Sequence, residues 1–227
     1  HYPLRRQRQM CIRDRVNTLK RLLNELKKYI SHKHEIIIVD DGSTDNSMEF
    51  LKKTDFIKLI SLKKNLGKGN AIRVGLQNSM FSKIIIYDGD LELKTLDINK
   101  LMILNKSIGV YCALGTRYQK LQPFKSLIEW GNFIFTSFFN LTFMTRHKDI
   151  LCGAKSFYLE DIYISKIKSL SFDIDIELTV FLTKNSRKKK IKHVLINYNR
   201  RSFDRGKKLK ITDGFLILKR IILNIFF

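Results

Sequence analysis

Residues 35–47 read EIIIVDDGSTDNS, a β-branched run from Ile36 to Val39 that stops at two aspartates and a turn. A short, continuous apolar run of this kind is typical of a strand that is buried on both faces of a sheet. Ser43 and Thr44 are preferred helix N-caps, so we predict that a helix follows through about Lys53. The stretch therefore predicts a strand, an acidic turn and a helix.

The same alternation continues on both sides of this stretch. Leucines at helical spacing predict an amphipathic helix from Val16 to Ile30. Downstream, the pattern predicts strands at 57–62 and 84–87 and a helix at 71–80. Strands that alternate with helices predict an α/β fold, a mostly parallel sheet with helices on both faces.

Two acidic turns follow predicted strands, Asp40-Asp41 after the first and Asp88-Gly89-Asp90 after the strand at 84–87. Ligands of such sheets bind beyond the carboxyl ends of the strands, so we expect both turns along one edge. Carboxylate oxygens suit Mg²⁺ or Mn²⁺, and we predict that Asp88 and Asp90 hold the ion. The alternative is that both are ordinary polar turns.

A glycine-rich segment, Asn65 to Ala71, opens the predicted helix at 71–80 and places Lys68 between two glycines. Free N–H groups and the positive dipole end of a helix favour anions, so Lys68 is a candidate phosphate ligand. The segment is not a Walker loop, because the required earlier glycine and the hydroxyl residue after lysine are absent. A flexible loop with a solvated lysine is the alternative.

Composition limits the classes of protein. With 227 residues and 44 % hydrophobic content, the chain is long and apolar enough to form a sizeable core, which excludes disorder. The net charge of +22 favours polyanionic partners: nucleic acid, an anionic membrane surface or phosphorylated substrates. Three cysteines without a CxxC pair argue against a zinc ribbon or a disulfide scaffold, so we expect a reducing compartment.

The first 15 residues, HYPLRRQRQMCIRDR, show neither helical nor strand periodicity. The stretch resembles translated adapter sequence, and we expect residues 1–15 to be non-native or disordered; a genuine basic arm is the alternative. Residues 16–227 are expected to form one domain.

Six strings occur in a fixed order: VDDGSTDNS (39–47), NLGKGNAIRVG (65–75), YDGDLE (87–92), LGTR (114–117), DILCGAKSF (149–157) and DIEL (175–178). Together they resemble the family 2 glycosyltransferases of the GT-A (Rossmann-like) fold, in the branch that glycosylates polyprenyl phosphates such as dolichyl phosphate. That family begins with a strand and a Pro-x-Tyr/Phe-Asn-Glu segment, which this chain lacks, so we expect its N-terminal strand to be missing.

The resemblance implies roles for five aspartates. Asp40 and Asp41 help to hold the nucleotide, Asp88 and Asp90 hold the divalent ion on the donor diphosphate, and Asp175 faces the acceptor. For gripping an acceptor phosphate, the candidates are Arg117, Arg201 and Lys208. Each of these three can equally be a solvated surface residue.

The expected function is a metal-dependent, inverting transfer of a hexose from UDP-glucose or GDP-mannose to a polyprenyl or dolichyl phosphate. One alternative is transfer to a sugar hydroxyl of a glycan or cell-surface polysaccharide. A remote alternative is a nucleic-acid binding module, but no recognisable binding motif is present, so we expect no nucleic-acid partner.

Two apolar stretches, 131–144 and 215–227, suggest contact with a membrane. Both are shorter than the ~20 residues needed to cross a bilayer. Buried core helices are one explanation, but Lys219 and Arg220 favour an amphipathic helix at about 213–227 that lies on the membrane surface. We therefore expect a cytoplasmic protein that is peripheral at the cytoplasmic face of a membrane.

Overall fold

The computed structural model describes residues 19–30, 34–43, 47–119, 127–185, 190–199 and 211–225. Strands and helices alternate along most of these residues, as the sequence predicts. The elements that position the site are α1 (19–26), β1 (Ile37–Asp40), α2 (Ser47–Lys52), β2 (Lys58–Ser61), α3 (Lys68–Gln77), β3 (Lys83–Ile86), α4 (Ile98–Leu101), β4 (Val110–Thr116), α5 (Leu127–Phe143), β5 (Lys155–Tyr158), α6 (Ile174–Asn185), β6 (Lys190–Leu195) and α7 (Ile211–Leu223).

The described strands form two sheets. β1 pairs with β2 in parallel, with Val39 opposite Ile60. The second sheet has the order β3-β5-β4-β6, in which β4 and β6 are parallel and β5 is antiparallel to both of its neighbours. The α/β class is confirmed, but the sheet is more mixed than expected. β5 is buried along its whole length, and burial determines composition rather than direction, so its reversal has no signal in the sequence.

The helix after the glycine-rich segment begins earlier than predicted, at Lys68 instead of Ala71. Gly67 adopts a φ of 95°, and the N–H of Gly69 donates to the carbonyl of Leu170 at 3.0 Å. This contact with a distant loop stabilises a helical first turn that two glycines would otherwise disfavour. The local sequence carries no information about that loop.

An apolar cavity of about 750 Å³ lies between the two sheets. Its walls come mainly from β1, β3 and α1, and the lining includes Leu22, Ile37, Val39, Ile84 and Ile86. Lys68 and Asp88 also line it, so the cavity reaches the predicted site. The expectation that the N-terminal strand of the family is missing stays a prediction.

Helix α6 lies between two hydrophobic clusters, and every residue from Ile174 to Val180 is buried. One face packs Leu178 against the cluster of the four-stranded sheet. The opposite face packs Ile176 and Val180 against α5 and α7. A carboxylate on such a helix needs a cationic partner, because an unpaired buried charge is strongly unfavourable. This requirement shapes the site around Asp175.

A histidine pair lies beside this second cluster. The Nδ1 atom of His147 is 3.2 Å from Nε2 of His193, and the Nε2 atom of His147 is 2.9 Å from the hydroxyl of Thr183. Burial, with a further contribution from His193, lowers the pKa of His147 from 6.5 to about 4. His147 is therefore neutral in the folded protein at neutral pH.

We expect the folded state to lose stability as the pH falls below about 6.5. The unfolded chain takes up a proton on His147 first, so His147 alone lowers the free energy of unfolding by about 2 kcal/mol between pH 7.5 and 5. Urea unfolding of wild type and His147→Gln at both pH values isolates this contribution. An equal loss of stability in the two proteins would contradict it.

Candidate active site

The first acidic turn follows β1 and holds the glycine-rich segment in place. The carboxylate of Asp41 accepts the N–H of Leu66 with Oδ1 and the N–H of Gly67 with Oδ2, both at 2.8 Å. Asp40, at the end of β1, accepts the N–H of Ser43 at 3.1 Å. These bonds give both aspartates a structural task, and their predicted contact with a nucleotide stays a prediction.

The two glycines beside Lys68 are required by close packing against the 168–171 loop. A Cβ at Gly67 would lie 2.1 Å from the carbonyl oxygen of Leu170, and one at Gly69 would lie 2.2 Å from that of Ser169. Because these neighbours are backbone atoms, they cannot turn aside as a side chain would. The packing fixes the backbone from which Lys68 projects.

Lys68 joins three segments of the predicted site. Its ammonium is 2.8 Å from Oδ1 of Asp88 and 2.9 Å from Oδ2 of Asp175. Burial opposes the charged form of Lys68, but Asp175 and Asp88 outweigh it and raise the pKa of this lysine. The sequence placed the three residues in separate motifs, and the fold brings them into direct contact.

Asp175 lies in the first turn of α6 and has a second cationic neighbour. The ammonium of Lys155 on β5 lies 3.5 Å from Oδ1 of Asp175 and donates to the carbonyl of Cys152. Burial would raise the pKa of Asp175, but Lys68 and Lys155 outweigh it, so the pKa lies below its ordinary value. Asp175 is held as a carboxylate. Lys155 was not predicted as a site residue, although it is a lysine that opens a short strand within the DILCGAKSF string.

The second acidic turn is tightly packed. The carboxylate of Asp88 lies against Gly153, where a Cβ would be 2.1 Å from Oδ2. Asp90 accepts the N–H of Glu92 at 3.1 Å, and Leu91 between them adopts a φ of 59°, which is uncommon for a residue other than glycine. The backbone of this turn is thus held in a specific, sparsely populated conformation.

The donor set of this turn fits a divalent cation. Among the described residues, no group of three or more His, Cys, Asp or Glu side chains is arranged to hold a metal. Mg²⁺ commonly binds through one or two carboxylates and takes its remaining ligands from water and substrate phosphates. Asp88 and Asp90 offer hard oxygen donors of this kind, and Gly153 leaves room for the carboxylate of Asp88.

Arg117 has a partner within the protein that the sequence did not indicate. Its Nε and Nη2 donate to the two carboxylate oxygens of Asp149 at 2.8 and 2.9 Å, and its guanidinium lies over the rings of Tyr118 and Tyr198. The LGTR string could not reveal this bidentate pair, because Asp149 is 32 residues away. A contact between Arg117 and an acceptor phosphate stays a prediction. Arg201 and Lys208 lie outside the described residues.

Helix α7 is connected to the site through Arg220, which the sequence analysis placed only on an amphipathic helix. Its guanidinium donates to Asp173 at 2.8 Å and to Glu177 at 3.3 Å. Glu177 also accepts the N–H of Ser169 at 2.8 Å, in the loop that packs on the two glycines. Arg220 therefore ties α7 to both sides of Asp175.

Helices α5 and α7 each present an apolar face to solvent. The exposed residues on α5 recur at helical spacing and include Trp130, Phe133, Ile134 and Leu141. Those on α7 include Phe215, Leu216, Ile222 and Leu223. Neither helix, nor any other within the described ranges, combines the length and apolarity needed to cross a membrane. The two helices pack together through Phe139, Ile217 and Ile221.

Comparison with known proteins identifies the family. The profile of glycosyl transferase family 2 matches residues 10–168. The chain belongs to this family. An uncharacterized protein of Methanocaldococcus jannaschii is 31 % identical over 162 residues, which cover 64 % of this chain and 71 % of that protein.

Two further relatives are dolichyl-phosphate β-glucosyltransferases. The mouse enzyme is 37 % identical over 89 residues, covering 35 % of this chain and 28 % of the enzyme. The Dictyostelium discoideum enzyme is 27 % identical over 163 residues, covering 63 % of this chain and 48 % of that enzyme. The chain thus matches less than half the length of these two relatives.

The fold is that of known GT-A structures. Glucosyl-3-phosphoglycerate synthase of Mycobacterium tuberculosis, solved with Mn²⁺, UDP-glucose and phosphoglyceric acid, superimposes with a TM-score of 0.70 at 14 % identity. The match covers 92 % of this chain and 75 % of that one. The family 2 glycosyltransferase therefore has the GT-A fold that its sequence strings imply, and the protein is an enzyme that transfers a sugar.

Proposed function

We propose that this glycosyltransferase moves a hexose from UDP-glucose or GDP-mannose to a polyprenyl or dolichyl phosphate, with inversion and with Mg²⁺ or Mn²⁺. The dolichyl-phosphate glucosyltransferases among its relatives support the acceptor class. The observation that carries the proposal is the cluster of Lys68, Asp88 and Asp175, where a donor diphosphate and an acceptor would meet.

The donor half of the mechanism follows from charge. Asp88 and Asp90 would hold the divalent ion, which neutralises the negative charge that develops on the leaving nucleoside diphosphate. Lys68 lies next to Asp88 and can donate to the same diphosphate. The backbone contacts of Gly67 and Gly69 keep Lys68 in place before the donor arrives, so little reorganisation is required during the reaction.

The acceptor half follows from the pKa of Asp175. A general base works best when its pKa lies near the operating pH, and the two lysines hold the pKa of Asp175 below its ordinary value. Asp175 is thus poorly suited to removing a proton from a sugar hydroxyl. A phosphate monoester arrives already ionised and needs no base, so this direction of the pKa supports a lipid phosphate over a glycan hydroxyl. Asp175 would then orient Lys68.

Membrane contact is part of the proposal. Helices α5 and α7 pack together and each exposes apolar side chains, and Lys219 on α7 is exposed among them. Such a surface suits the interfacial region of an anionic membrane, where a polyprenyl phosphate displays its head group. We propose that the enzyme is peripheral at the cytoplasmic face.

Asp175→Asn separates the two acceptor classes. With a phosphate acceptor we expect at most a tenfold loss of kcat, whereas a hydroxyl acceptor that needs a base would lose roughly 10²- to 10⁴-fold. Initial rates with a short polyprenyl phosphate and with a glycan acceptor give the comparison. Because the variant also changes the environment of Lys68, donor affinity is measured alongside. A large loss of kcat with unchanged donor affinity would indicate the glycan alternative.

A further inference from the structure

One ammonium group bridges two carboxylates at the centre of the site. The Nζ atom of Lys68 is 2.8 Å from Asp88 and 2.9 Å from Asp175. The side chain of Lys68 is 20 % exposed and that of Asp88 is 33 % exposed, so Asp88 is the more accessible end of this bridge. Asp88 is also a proposed ligand of the divalent ion. Lys68 therefore occupies the same carboxylate that the metal would bind.

Within this cluster the charges of Asp88 and Asp175 are balanced before any metal arrives. Lys68 and Lys155 carry two positive charges, Asp88 and Asp175 carry two negative charges, and Asp90 adds a further carboxylate in the same turn as Asp88. A divalent cation that approaches Asp88 meets a carboxylate already paired with an ammonium at 2.8 Å. To bind well, the cation needs either the departure of Lys68 or additional negative ligands.

We propose that Lys68 is the resident counter-ion of Asp88 in the donor-free enzyme and competes there with the divalent ion. The inference rests on the proposed function, in which the donor carries a nucleoside diphosphate. The diphosphate supplies oxygen ligands to the metal and an alternative partner for Lys68. Metal and nucleotide therefore bind with strong positive coupling, and the metal alone binds weakly.

The structure shows how Lys68 can exchange partners. Its backbone is fixed by Gly67 and Gly69, whereas its side chain is a flexible four-carbon stem with three donors. When it leaves Asp88, it keeps Asp175, so it need not become an unpaired buried charge. Asp88 cannot move aside as easily, because its carboxylate packs against Gly153.

The test measures Mn²⁺ binding to the donor-free protein from the electron paramagnetic resonance signal of free Mn²⁺. Lys68→Met keeps the length of the side chain but removes its charge, and we expect it to bind Mn²⁺ at least tenfold more tightly than wild type. The matched control is Lys106→Met, which makes the same charge change at an exposed pair with Glu160. We expect less than a twofold change in that variant.

Two further measurements locate and confirm the competition. Adding Asp88→Asn to Lys68→Met should abolish the gain in Mn²⁺ affinity. In wild type, saturating UDP or GDP should raise Mn²⁺ affinity at least tenfold, and Mn²⁺ should raise the affinity of that nucleotide by the same factor. This coupling should be smaller in Lys68→Met.

The proposal is overturned if Lys68→Met binds Mn²⁺ no more tightly than wild type, or if the gain persists without Asp88. If the variant does not fold, as judged by circular dichroism, the wild-type arm decides: equal Mn²⁺ affinity with and without nucleotide overturns it. These readouts need no acceptor and no turnover. A protein that shows the competition but forms no lipid-linked product would refute the proposed acceptor and leave this inference intact.

Discussion

Replacing Asp88 by asparagine is expected to lower kcat about 10²- to 10³-fold while leaving the fold intact. The neutral amide keeps the volume of the side chain but removes the charge that would hold the divalent ion, and electrostatic groups of this kind commonly contribute 10²- to 10³-fold each. Asp88 is partly exposed, and Lys68 retains Asp175 as a partner, so we expect little loss of stability.

The measurement is sugar transfer at saturating donor, together with thermal unfolding of the same samples. Asp55→Asn is the matched control, because Asp55 lies in an exposed turn outside the site. Asp90→Asn tests the second carboxylate in the same way. Unchanged activity of Asp88→Asn in the presence of chelator would show that the acidic turn is only a polar turn.

Gly67→Ala is expected to destabilise the protein by roughly 2–4 kcal/mol and to weaken nucleotide binding at least tenfold. The new Cβ would lie 2.1 Å from the carbonyl oxygen of Leu170, and φ at this position is 95°. Backbone strain of this kind costs about 1–3 kcal/mol, and the steric overlap adds to it. Relief of the overlap would displace Lys68.

Gly109→Ala separates the two contributions. Gly109 also has a positive φ, 74°, but an added Cβ there meets nothing within 4 Å. Urea unfolding of both variants and titration with UDP or GDP give the comparison. We expect Gly109→Ala to show only the cost of backbone strain and normal nucleotide affinity. Equal behaviour of the two variants would contradict the proposed role of loop packing.

Local pattern was sufficient for most of the elements before α4. The apolar runs predicted β1, β2 and β3 to within two residues at each end. The expected burial on both faces was wrong for β1, because three of its four residues are only partly buried. The start of α3 was wrong by three residues, since its first turn depends on a hydrogen bond from Gly69 to Leu170 about a hundred residues away. The antiparallel direction of β5 was not predicted, because burial along the whole strand determines its composition and not its direction.

The site residues also divide into those that the sequence identified and those that depend on contacts between distant segments. Lys68 and Asp88 were identified from residue type and position, Asp175 was identified from the family resemblance, and the fold brings the three together. Lys155 and Arg220 were not identified as site residues. Each of them pairs with a buried acidic residue of α6: Lys155 with Asp175, and Arg220 with Glu177. These residues are buried because α6 lies between two hydrophobic clusters of the described structure. Arg117 likewise has a partner, Asp149, that its own string did not indicate.

The most direct test of the central claim is the formation of a lipid-linked sugar. Full-length protein is incubated with labelled UDP-glucose or GDP-mannose, Mn²⁺ or Mg²⁺ and a short polyprenyl phosphate, and label is counted in the organic extract. We predict a glycosyl phosphate of the lipid with one of these donors, lost in EDTA and restored by the metal. No lipid-linked product with either donor, together with transfer to a glycan hydroxyl, would contradict the account.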